Sequence, residues 1–382
     1  MLHDTCPVEP TANPAAGGCE RGDWQPACKR FRREDLPCLR IAQISPLYES
    51  VPPAAYGGTE RVVSYLTEEL VRLGHDVTLF ASGDSRTAAR LVPICPTALR
   101  GAPPEVDRLA PHVLMLERLL AEADRFDVVH FHCDYLHFPL ARRLVPRHLT
   151  TLHNPLNGPG LAELYREFSD LPLVSISDAQ RRPLPDARWA ATVYHGLPLE
   201  LLPFQPDAGD YLAFLGRLAP AKRVDRAIRI ARDVGVPLRI AAKLDAADRE
   251  YFEREIAPLL EGDGVELVGE VSDAQKGAFL GNARALVFPI DWSEPFGLVM
   301  IEALACGTPV IAYRRGSVPE IIEDGVTGFV VGDRAAAERS VRRLGEISRA
   351  RCREVFEERF SAPRMARDYL AVYERLAEPV PA

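Results

Sequence analysis

Two glutamates, Glu294 and Glu302, stand eight positions apart in this sequence. Glu294 ends a predicted loop, and Glu302 lies in the helical pattern from Leu298 to Ala305. Because eight residues make about two helical turns, we expect both carboxylates on the same side. Gly297 lets the backbone approach a ligand closely, and free N–H groups at a helix N-terminus bind anions such as phosphate. By spacing alone, a solvated helix with two unrelated glutamates fits equally well.

A basic pair follows the strand predicted at 211–216. Gly216 ends this strand, and Arg217 and Lys222 come directly after it. The planar guanidinium of arginine can donate two hydrogen bonds to a diphosphate, and the ammonium of lysine attracts it as a point charge. An exposed arginine and lysine with no binding function would show the same sequence pattern. The position at a strand end favours an anion site, with Gly216 allowing close approach of the ligand.

Two weaker features lie in the first half of the chain. Gly57 and Gly58 precede a predicted helix, where glycines allow phosphate to approach the backbone, although a plain turn has the same composition. His153 ends a predicted strand, and a structural histidine is the alternative to a functional one. His130 and His132 share one face of a strand. Since a metal there would need a third ligand, we predict no metal site.

The sequence lacks several motifs of phosphate and ester chemistry. No two aspartates are separated by one residue, so there is no Asp-x-Asp clamp for a metal-bound diphosphate. There is also no G-x-x-x-x-G-K-[ST] loop and no G-x-S-x-G elbow. We therefore expect any diphosphate chemistry here to be independent of metal.

The pattern of elements predicts an α/β protein with two doubly wound parallel sheets. A chain of 382 residues exceeds the usual size of one core, which favours two domains. Predicted strands alternate with helices on both sides of a Pro-rich linker at 198–209. The strands are predicted at 39–44, 76–81, 126–132, 149–153, 173–177 and 193–197, then at 211–216, 238–242, 265–268, 285–288, 309–312 and 328–331. Ligands in such folds bind at the carboxyl ends of strands, so a cleft between the domains is the expected site.

Composition narrows the classes of function. A net charge of −8 argues against nucleic acid as a partner and against adhesion to an anionic membrane. No apolar run reaches the roughly 18 residues of a membrane-spanning helix. Residues 1–38 lack the apolar stretch of a signal peptide and are predicted to be a poorly ordered leader. None of the eight cysteines forms a C-x-x-C pair, so reduced thiols are expected. We predict a cytoplasmic protein, with peripheral work at the inner membrane face left open.

Taken together, these motifs resemble the retaining GT-B glycosyltransferases of family 4. The resemblance covers about residues 39–378 and rests on the order of the motifs as well as on each motif. They are Gly57-Gly58-x-Glu60, His153, Gly216-Arg217-x4-Lys222, Glu294-Pro-Phe-Gly with Glu302, Ala305-Cys-Gly-Thr-Pro-Val310, Gly316-Ser-Val-Pro-Glu320 and Asp324-Gly-Val-Thr-Gly328. The family implies an acceptor-side domain at 39–200, a nucleotide-sugar domain at 207–360 and a last helix, 361–378, that packs back on the first domain.

The resemblance also assigns roles to these residues. Arg217 and Lys222 resemble the pair that holds the donor diphosphate, and Glu294 and His153 resemble groups that face the donor sugar. Glu302 resembles the glutamate that binds the nucleotide ribose. The remaining donor-binding positions implied by the family are Gly57, Gly58, Gly216, Phe296, Gly297, Leu298 and Val299, with the base packing near Val268 to Val271.

The function that this resemblance implies is transfer of a sugar from a nucleotide-diphosphate sugar to an acceptor hydroxyl, with retention at the anomeric carbon. UDP- and GDP-linked sugars are the first candidate donors, UDP-glucose among them, and no further cofactor is expected. The acceptor is left open between a small molecule, a glycan and a lipid-linked molecule. A sugar-nucleotide epimerase, a phosphorylase and a non-catalytic sugar-nucleotide-binding module are the alternatives.

Overall fold

The computed structural model describes residues 38–54 and 57–377. The leader predicted at 1–38 lies outside these residues except for Cys38, and nothing tests that prediction. The described residues form two parallel β-sheets with helices around them. This confirms the α/β fold class predicted from the alternation of strands and helices. None of the helices in 38–54 and 57–377 has the length and apolarity that crossing a membrane requires.

The first sheet has the strand order β3-β2-β1-β4-β5-β6-β7 in the described residues, and all neighbours are parallel. Its strands are β1 (Arg40–Ile44), β2 (Asp76–Ala81), β3 (Arg90–Pro93), β4 (Val128–Phe131), β5 (His148–Thr151), β6 (Leu173–Ser175) and β7 (Trp189–Thr192). The strand predicted at 193–197 is wrong, because the edge strand ends at Thr192. The buried residues that follow β7 pass beneath the last helix, which explains their apolar character without a strand.

The second sheet has the order β10-β9-β8-β11-β12-β13, again with parallel neighbours throughout the described part. Its strands are β8 (Tyr211–Arg217), β9 (Leu238–Lys243), β10 (Val265–Gly269), β11 (Ala283–Phe288), β12 (Val310–Tyr313) and β13 (Gly328–Val331). All six strands lie where the sequence predicted them. Their central members are buried on both faces, which is why they read as unbroken apolar runs.

Helices cover both sheets. They are α1 (Gly58–Arg72), α2 (Ala110–Leu120), α3 (Phe138–Leu144), α4 (Leu161–Glu167), α5 (Asp178–Arg181), α6 (Val224–Val234), α7 (Arg249–Tyr251), α8 (Asp273–Gly281), α9 (Leu298–Ala305), α10 (Val318–Ile321), α11 (Arg334–Arg342), α12 (Arg349–Arg359) and α13 (Ala362–Ala377). Short 3₁₀ turns occupy Ala123–Arg125, Pro220–Lys222, Ala246–Asp248, Ala257–Leu259 and Leu344–Glu346, and a π-helical turn occupies Phe252–Ile256.

Each sheet reverses its strand order at one point. In the first sheet the reversal falls between β1 and β4, and in the second it falls between β8 and β11. Chains leave the sheet in opposite directions at such a point, and the resulting crevice at the carboxyl ends of the strands is where ligands bind. Arg217 ends β8, and the Glu294 loop follows β11, so the basic and acidic motifs emerge at one reversal.

The last helix, α13, belongs to the core of the first sheet. Its apolar face, which includes Met365, Tyr369 and Tyr373, is fully buried against residues of β1 and α1 such as Ile41 and Leu66. The Arg364 guanidinium donates to the carbonyl oxygens of Tyr194 (2.8 Å) and His195 (2.9 Å) and so fixes the start of this helix. The chain thus returns to the first sheet after completing the second.

Hydrogen bonds tie the two halves together behind the cleft. The carboxylate of Glu320, on α10, accepts from the backbone N–H groups of Asp178 (2.8 Å) and Ala179 (2.7 Å) at the start of α5. The Tyr194 hydroxyl also donates to Glu320, at 3.2 Å. A carboxylate at these first N–H groups satisfies donors that the helix itself leaves free.

Candidate functional site in the interdomain cleft

A cavity of about 1260 Å³ lies between the carboxyl edges of the two sheets. Both halves of the chain line it, as the reversal of strand order in each sheet predicts. Among the residues predicted to form a site, those lining it are Gly57, Gly58, His153, Gly216, Arg217, Lys222, Glu294, Phe296, Gly297, Leu298, Val299 and Glu302. Residues from four separate segments of the chain, 57–58, 153, 216–222 and 294–302, therefore converge on one cavity.

Val268 is the predicted site residue that the cavity does not include. It lies on the edge strand β10 with 42% of its surface exposed. Val271 lines the cavity instead, three residues further on. The predicted segment is therefore adjacent to the cleft, but the residue within it that faces the cleft differs. The resemblance to the family indicated the range from Val268 to Val271 and not which of its residues faces the cleft.

Lys222 and Glu294 form an ion pair at the second-domain wall of the cleft. Lys222 Nζ lies 2.6 Å from Glu294 Oε2, and both side chains are largely buried. The ammonium group also lies 4.7 Å from the centre of the Trp292 ring, a cation–π contact. These two contacts hold a positive charge at a fixed place in a partly dry site, where its interaction with an approaching anion is weakly screened.

Arg217 is held by a different carboxylate. Its guanidinium donates to Asp245 Oδ2 at 3.3 Å, and Lys243 Nζ lies 3.1 Å from the other oxygen of Asp245. Arg217 keeps 39% of its side chain exposed, so it remains accessible from the cavity. Both predicted cations therefore stand in the cleft, each beside a carboxylate. The role of Asp245 could not be predicted from the sequence, because no recognisable motif surrounds it after β9.

The loop before α9 directs its carbonyl groups away from the cavity. Glu294 O accepts from Ser317 N (3.0 Å), Pro295 O from Ser177 Oγ (2.6 Å) and Phe296 O from Ser317 Oγ (2.8 Å). Phe296 itself is buried, so it meets the cavity wall from behind. With the carbonyls bonded at the rear, the start of α9 faces the cavity with its N–H groups, which is the arrangement that binds phosphate.

Two glycines shape this loop. Gly297, the N-cap of α9, has φ of +82°, a conformation that side chains other than glycine rarely adopt. Gly316 has φ of +52°, and a Cβ placed on it would collide with the backbone of Glu294. The motif around Gly316 therefore supports the Glu294 loop from below. Gly58 faces Leu298 across the cleft, where an added Cβ would lie 3.7 Å from Leu298 Cδ1.

Glu302 takes part in a chain of charged groups that crosses the cleft. Lys276 Nζ lies 2.7 Å from Glu302 Oε1 and 3.2 Å from Asp273 Oδ1. Asp273 in turn pairs with the buried guanidinium of Arg61, on α1 of the first half. Of these charged residues, the sequence analysis identified only Glu302 as part of a site. Lys276 and Asp273 begin a separate helix, and their spacing from Glu302 carries no signal.

Histidines from three segments meet on the first-domain side. His153 Nε2 lies 2.9 Å from His132 Nδ1, and the ring of His195 stacks on His153 with centroids 5.3 Å apart. Burial lowers the pKa of His153 to about 3 and lowers the pKa values of His132 and His195 well below their usual range. All three rings are therefore neutral at pH 7. The sequence prediction missed His195, because it stood in a stretch that read as a strand.

An unusual carboxyl group, Glu60, lies on the same wall. It follows the glycine pair and lines the cavity, although it is almost fully buried. Burial raises the pKa of Glu60 to about 7, and the neighbouring Glu49 also raises it, while backbone hydrogen bonds lower it. The group thus changes charge near neutral pH.

Metal ligands do not gather in the described part of the chain, where no three His, Cys, Asp or Glu side chains could hold one ion. The two histidines considered earlier have other partners. His130 bonds to Tyr373 Oη (2.8 Å) and Thr151 Oγ1 (2.7 Å), and His132 bonds to His153 and to Gln43 Oε1 (2.8 Å).

Two family models match the chain. Residues 56–190 match the model of Glycosyltransferase Family 4, and residues 204–358 match the model of Glycosyl transferases group 1. The two matches follow each other in order and correspond to the two sheets. The chain therefore belongs to the family 4 glycosyltransferases, with the GT-B arrangement of two Rossmann-like domains.

Individual relatives agree with this assignment. A D-inositol 3-phosphate glycosyltransferase of Mycobacterium leprae is 35% identical over 160 residues, which cover 38% of this chain and 33% of that protein. The match thus spans about a third of the length of that curated relative. A phosphatidyl-myo-inositol mannosyltransferase of Propionibacterium freudenreichii is 26% identical over 80% of this chain and 86% of its own. The crystal structure of AviGT4, a glycosyltransferase involved in avilamycin A biosynthesis, superposes with a TM-score of 0.68 at 25% identity, covering 89% of this chain and 98% of that one.

Proposed function

We propose that the protein transfers a sugar from a nucleotide-diphosphate sugar to an acceptor hydroxyl, with retention at the anomeric carbon. The observation that supports this most is the convergence of Arg217, Lys222, Glu294 and Glu302 on one cavity between the domains. Family membership makes this the expected chemistry. The donor fits along the second-domain wall, with its ribose at Glu302, its diphosphate at the two cations and its sugar towards Glu294 and His153.

The two cations, Arg217 and Lys222, stabilise the leaving group in this proposal. The departing nucleoside diphosphate gains negative charge as the sugar–phosphate bond breaks, and fixed positive groups stabilise that charge more in the transition state than in the bound substrate. Lys222 is already fixed by Glu294 and Trp292 before a donor arrives. Arg217 exchanges its contact with Asp245 for the diphosphate. Because these cations supply the charge, we propose that the reaction needs no metal ion.

Retention follows from attack on the face that the diphosphate leaves. The ammonium of Lys222 and the start of α9 hold the leaving group beside the anomeric carbon. A phosphate oxygen of the leaving group then accepts the proton of the acceptor hydroxyl as the new glycosidic bond forms. Glu294 is bound to Lys222, which makes it a sugar-orienting group in this scheme and not a nucleophile.

A donor screen tests the proposal. Purified protein is incubated with UDP-, GDP- and ADP-sugars, with and without EDTA, and released nucleoside diphosphate is measured. We expect release from one donor, insensitive to EDTA, and loss of release on Arg217→Ala. The matched control is Arg229→Ala, since Arg229 also faces an aspartate, at 3.2 Å, is similarly exposed and lies outside the cleft.

Three results would contradict parts of this proposal. If EDTA abolishes release and a divalent metal restores it, the metal-independent step is wrong. If the anomeric proton coupling of the product, measured by NMR, shows a configuration opposite to that of the donor, the retaining mechanism is wrong. If no donor binds in saturation-transfer NMR, the protein is not a sugar-nucleotide enzyme.

A further inference from the structure

A second cavity, of about 340 Å³, lies in the second domain at the carboxyl ends of β12 and β13. Its volume falls within the range of about 300–1,000 Å³ that is typical of small-molecule sites. Among the described residues, none lines both this cavity and the interdomain cleft. The charged residues of its wall are Asp333 and five arginines, Arg223, Arg226, Arg229, Arg315 and Arg334. We refer to this cavity as the arginine pocket.

Two of the five arginines and the one aspartate of the wall have partners of their own. Arg229 donates to Asp225 at 3.2 Å, and Arg334 pairs with two carboxylates that lie outside the wall. Asp333 is the N-cap of α11 and accepts from the backbone N–H of Ala336 at 2.8 Å. The other three arginines are therefore the ones that can respond to a ligand.

These three arginines converge on a single carboxylate, that of Asp291. It accepts from Arg223 at 3.1 Å, from Arg226 at 2.8 Å and from Arg315 at 3.5 Å. Arg223 also donates two bonds to Asp225, at 2.8 and 2.9 Å. One shared carboxylate does not neutralise three guanidinium groups, which repel one another unless a further anion lies among them.

The three guanidinium groups also keep N–H groups for a ligand. Each has five N–H donors, and their side chains are 21–48% exposed. The Arg226 guanidinium lies over the ring of Tyr313, 5.2 Å from its centre, which keeps it in place. Guanidinium groups bind phosphate through pairs of N–H groups, so this arrangement fits a phosphate better than it fits a singly charged anion.

We propose that the arginine pocket binds a phosphate group with two negative charges, either as free phosphate or as the phosphate monoester of a small molecule, and that Asp291 conveys its occupation to Lys222. The binding does not depend on the proposed function, because the pocket is separate from the cleft in which the donor is placed.

Asp291 connects the arginine pocket to the cleft. Its carboxylate contacts the arginines, while its backbone N–H donates to the carbonyl oxygen of Ala221, next to Lys222, at 2.9 Å. The residue after it, Trp292, places its ring 4.7 Å from Lys222 Nζ. Arg223 directly follows Lys222 and has φ of +53°, which residues other than glycine rarely adopt. A phosphate that draws Arg223 from Asp291 therefore acts on both segments that hold Lys222.

Isothermal titration calorimetry with inorganic phosphate and with glycerol 3-phosphate tests the site. The titrations use Arg217→Ala protein, which weakens binding in the cleft. We expect saturable binding that becomes about tenfold weaker or more when Arg223→Gly is added. Glycine adopts the positive φ of this position readily, so the fold is kept. The tighter of the two ligands shows whether free or esterified phosphate is preferred. Absence of binding, or undiminished binding with Arg223→Gly, overturns the proposal.

Arg315→Gln is a second variant, and the chain supplies a matched control for it in Arg239→Gln. Both side chains are 48% exposed and each lies beside one carboxylate, Asp291 for Arg315 and Glu266 for Arg239. Arg239 lines neither cavity. Arg315→Gln should weaken phosphate binding about tenfold, and Arg239→Gln should change it less than about twofold. Equal weakening would mean that phosphate responds only to the general surface charge, which overturns the site.

Tryptophan fluorescence tests the link to Lys222. Saturation with the better phosphate ligand should change the emission of the wild-type protein. Trp292→Phe should abolish this change, whereas Trp189→Phe, on β7 of the first sheet, should keep it. If the change persists in Trp292→Phe, or if calorimetric binding produces no change, the link through Asp291 is wrong while the site stands. A donor screen without turnover would contradict the proposed function and leave both of these results intact.

Discussion

Lys222 and Glu294 are paired in the cleft before any ligand is present, with 2.6 Å between Nζ and Oε2. The carboxylate thus fixes the cation that we assign to the leaving group, and the cation in turn gives the largely buried carboxylate a partner. Removing either partner leaves the other unpaired, which is costly in a site of low polarity. The two residues should therefore act as one unit.

The first prediction concerns this pair. Lys222→Met should lower kcat by on the order of 10³, because the developing phosphate charge loses a fixed donor. Glu294→Gln should lower it less, since the ammonium group remains. The loss in the double variant should be smaller than the sum of the single losses, in kcal/mol. Steady-state kinetics of all four proteins checks this, and strictly additive losses would contradict the coupling.

The second prediction concerns Gly316. An alanine at Gly316 collides with the Glu294 backbone and also has to adopt a positive φ. We expect a large fall in both stability and donor binding. Gly325→Ala is the control, because Gly325 has a similar φ of +77° but no atom within 4 Å of an added Cβ. It should cost about 1–2 kcal/mol of stability from backbone strain and leave donor binding unchanged. Urea unfolding and donor titration measure the two effects, and equal losses in the two variants would refute the collision argument.

The third prediction concerns Glu60. Its pKa rises from 4.5 unfolded to about 7 folded, because burial disfavours the charged form. Between these values the folded protein binds more protons than the unfolded one, so the free energy of unfolding falls as the pH rises. The shift corresponds to about 3 kcal/mol at most, present as destabilisation above pH 7.

Glu60→Gln removes this titration. Relative to the wild type, the variant should gain stability between pH 5 and pH 7.5, as measured by urea unfolding at several pH values. Donor binding by the wild type should also weaken above pH 7, since an ionised carboxylate then faces the diphosphate. A stability difference that does not vary with pH would show that Glu60 has an ordinary pKa.

The fourth prediction concerns Arg61, which crosses the cleft to Asp273. Arg61→Met keeps most of the buried volume and removes the ion pair between the domains. We expect the donor KM to rise about tenfold and small-angle scattering to show a more open molecule, since domain closure completes such sites. Arg40→Met, which breaks a surface pair with Asp127 within the first domain, should change neither quantity. An unchanged scattering profile in Arg61→Met would refute the role in closure.

The sequence predicted all strands of the second sheet and the central strands of the first, but not β3 and β7, the two edge strands of the first sheet. Strands such as β8 and β11 are buried on both faces, so their residues read as apolar runs. The edge strand β3 is only partly buried and gave no such run. The residues after β7 were wrongly predicted to form a strand. Val193 is buried by contact with the α13 core and not by strand pairing.

The candidate site was likewise predicted only in part from the sequence. Residues such as Arg217, Lys222 and Glu294 were predicted because they follow predicted strands and match motifs of the family. Their partners were not, since Asp245 and Lys276 reach the cleft from another loop and another helix. Only the folded chain brings these groups within hydrogen-bonding distance. The sequence predicted many of the residues that line the cleft, but not the ion pairs that they form.

The position of α13 has a consequence for how the protein is made. The first sheet is synthesised early, yet Met365, Tyr369 and Tyr373, which fill its core, follow the whole second domain in the chain. During translation the face of β1 that they cover must stay open until the ribosome has added them. The first domain is thus the earlier to emerge and the later to finish, and its incomplete apolar surface stays exposed to aggregation in the nascent chain until α13 is made.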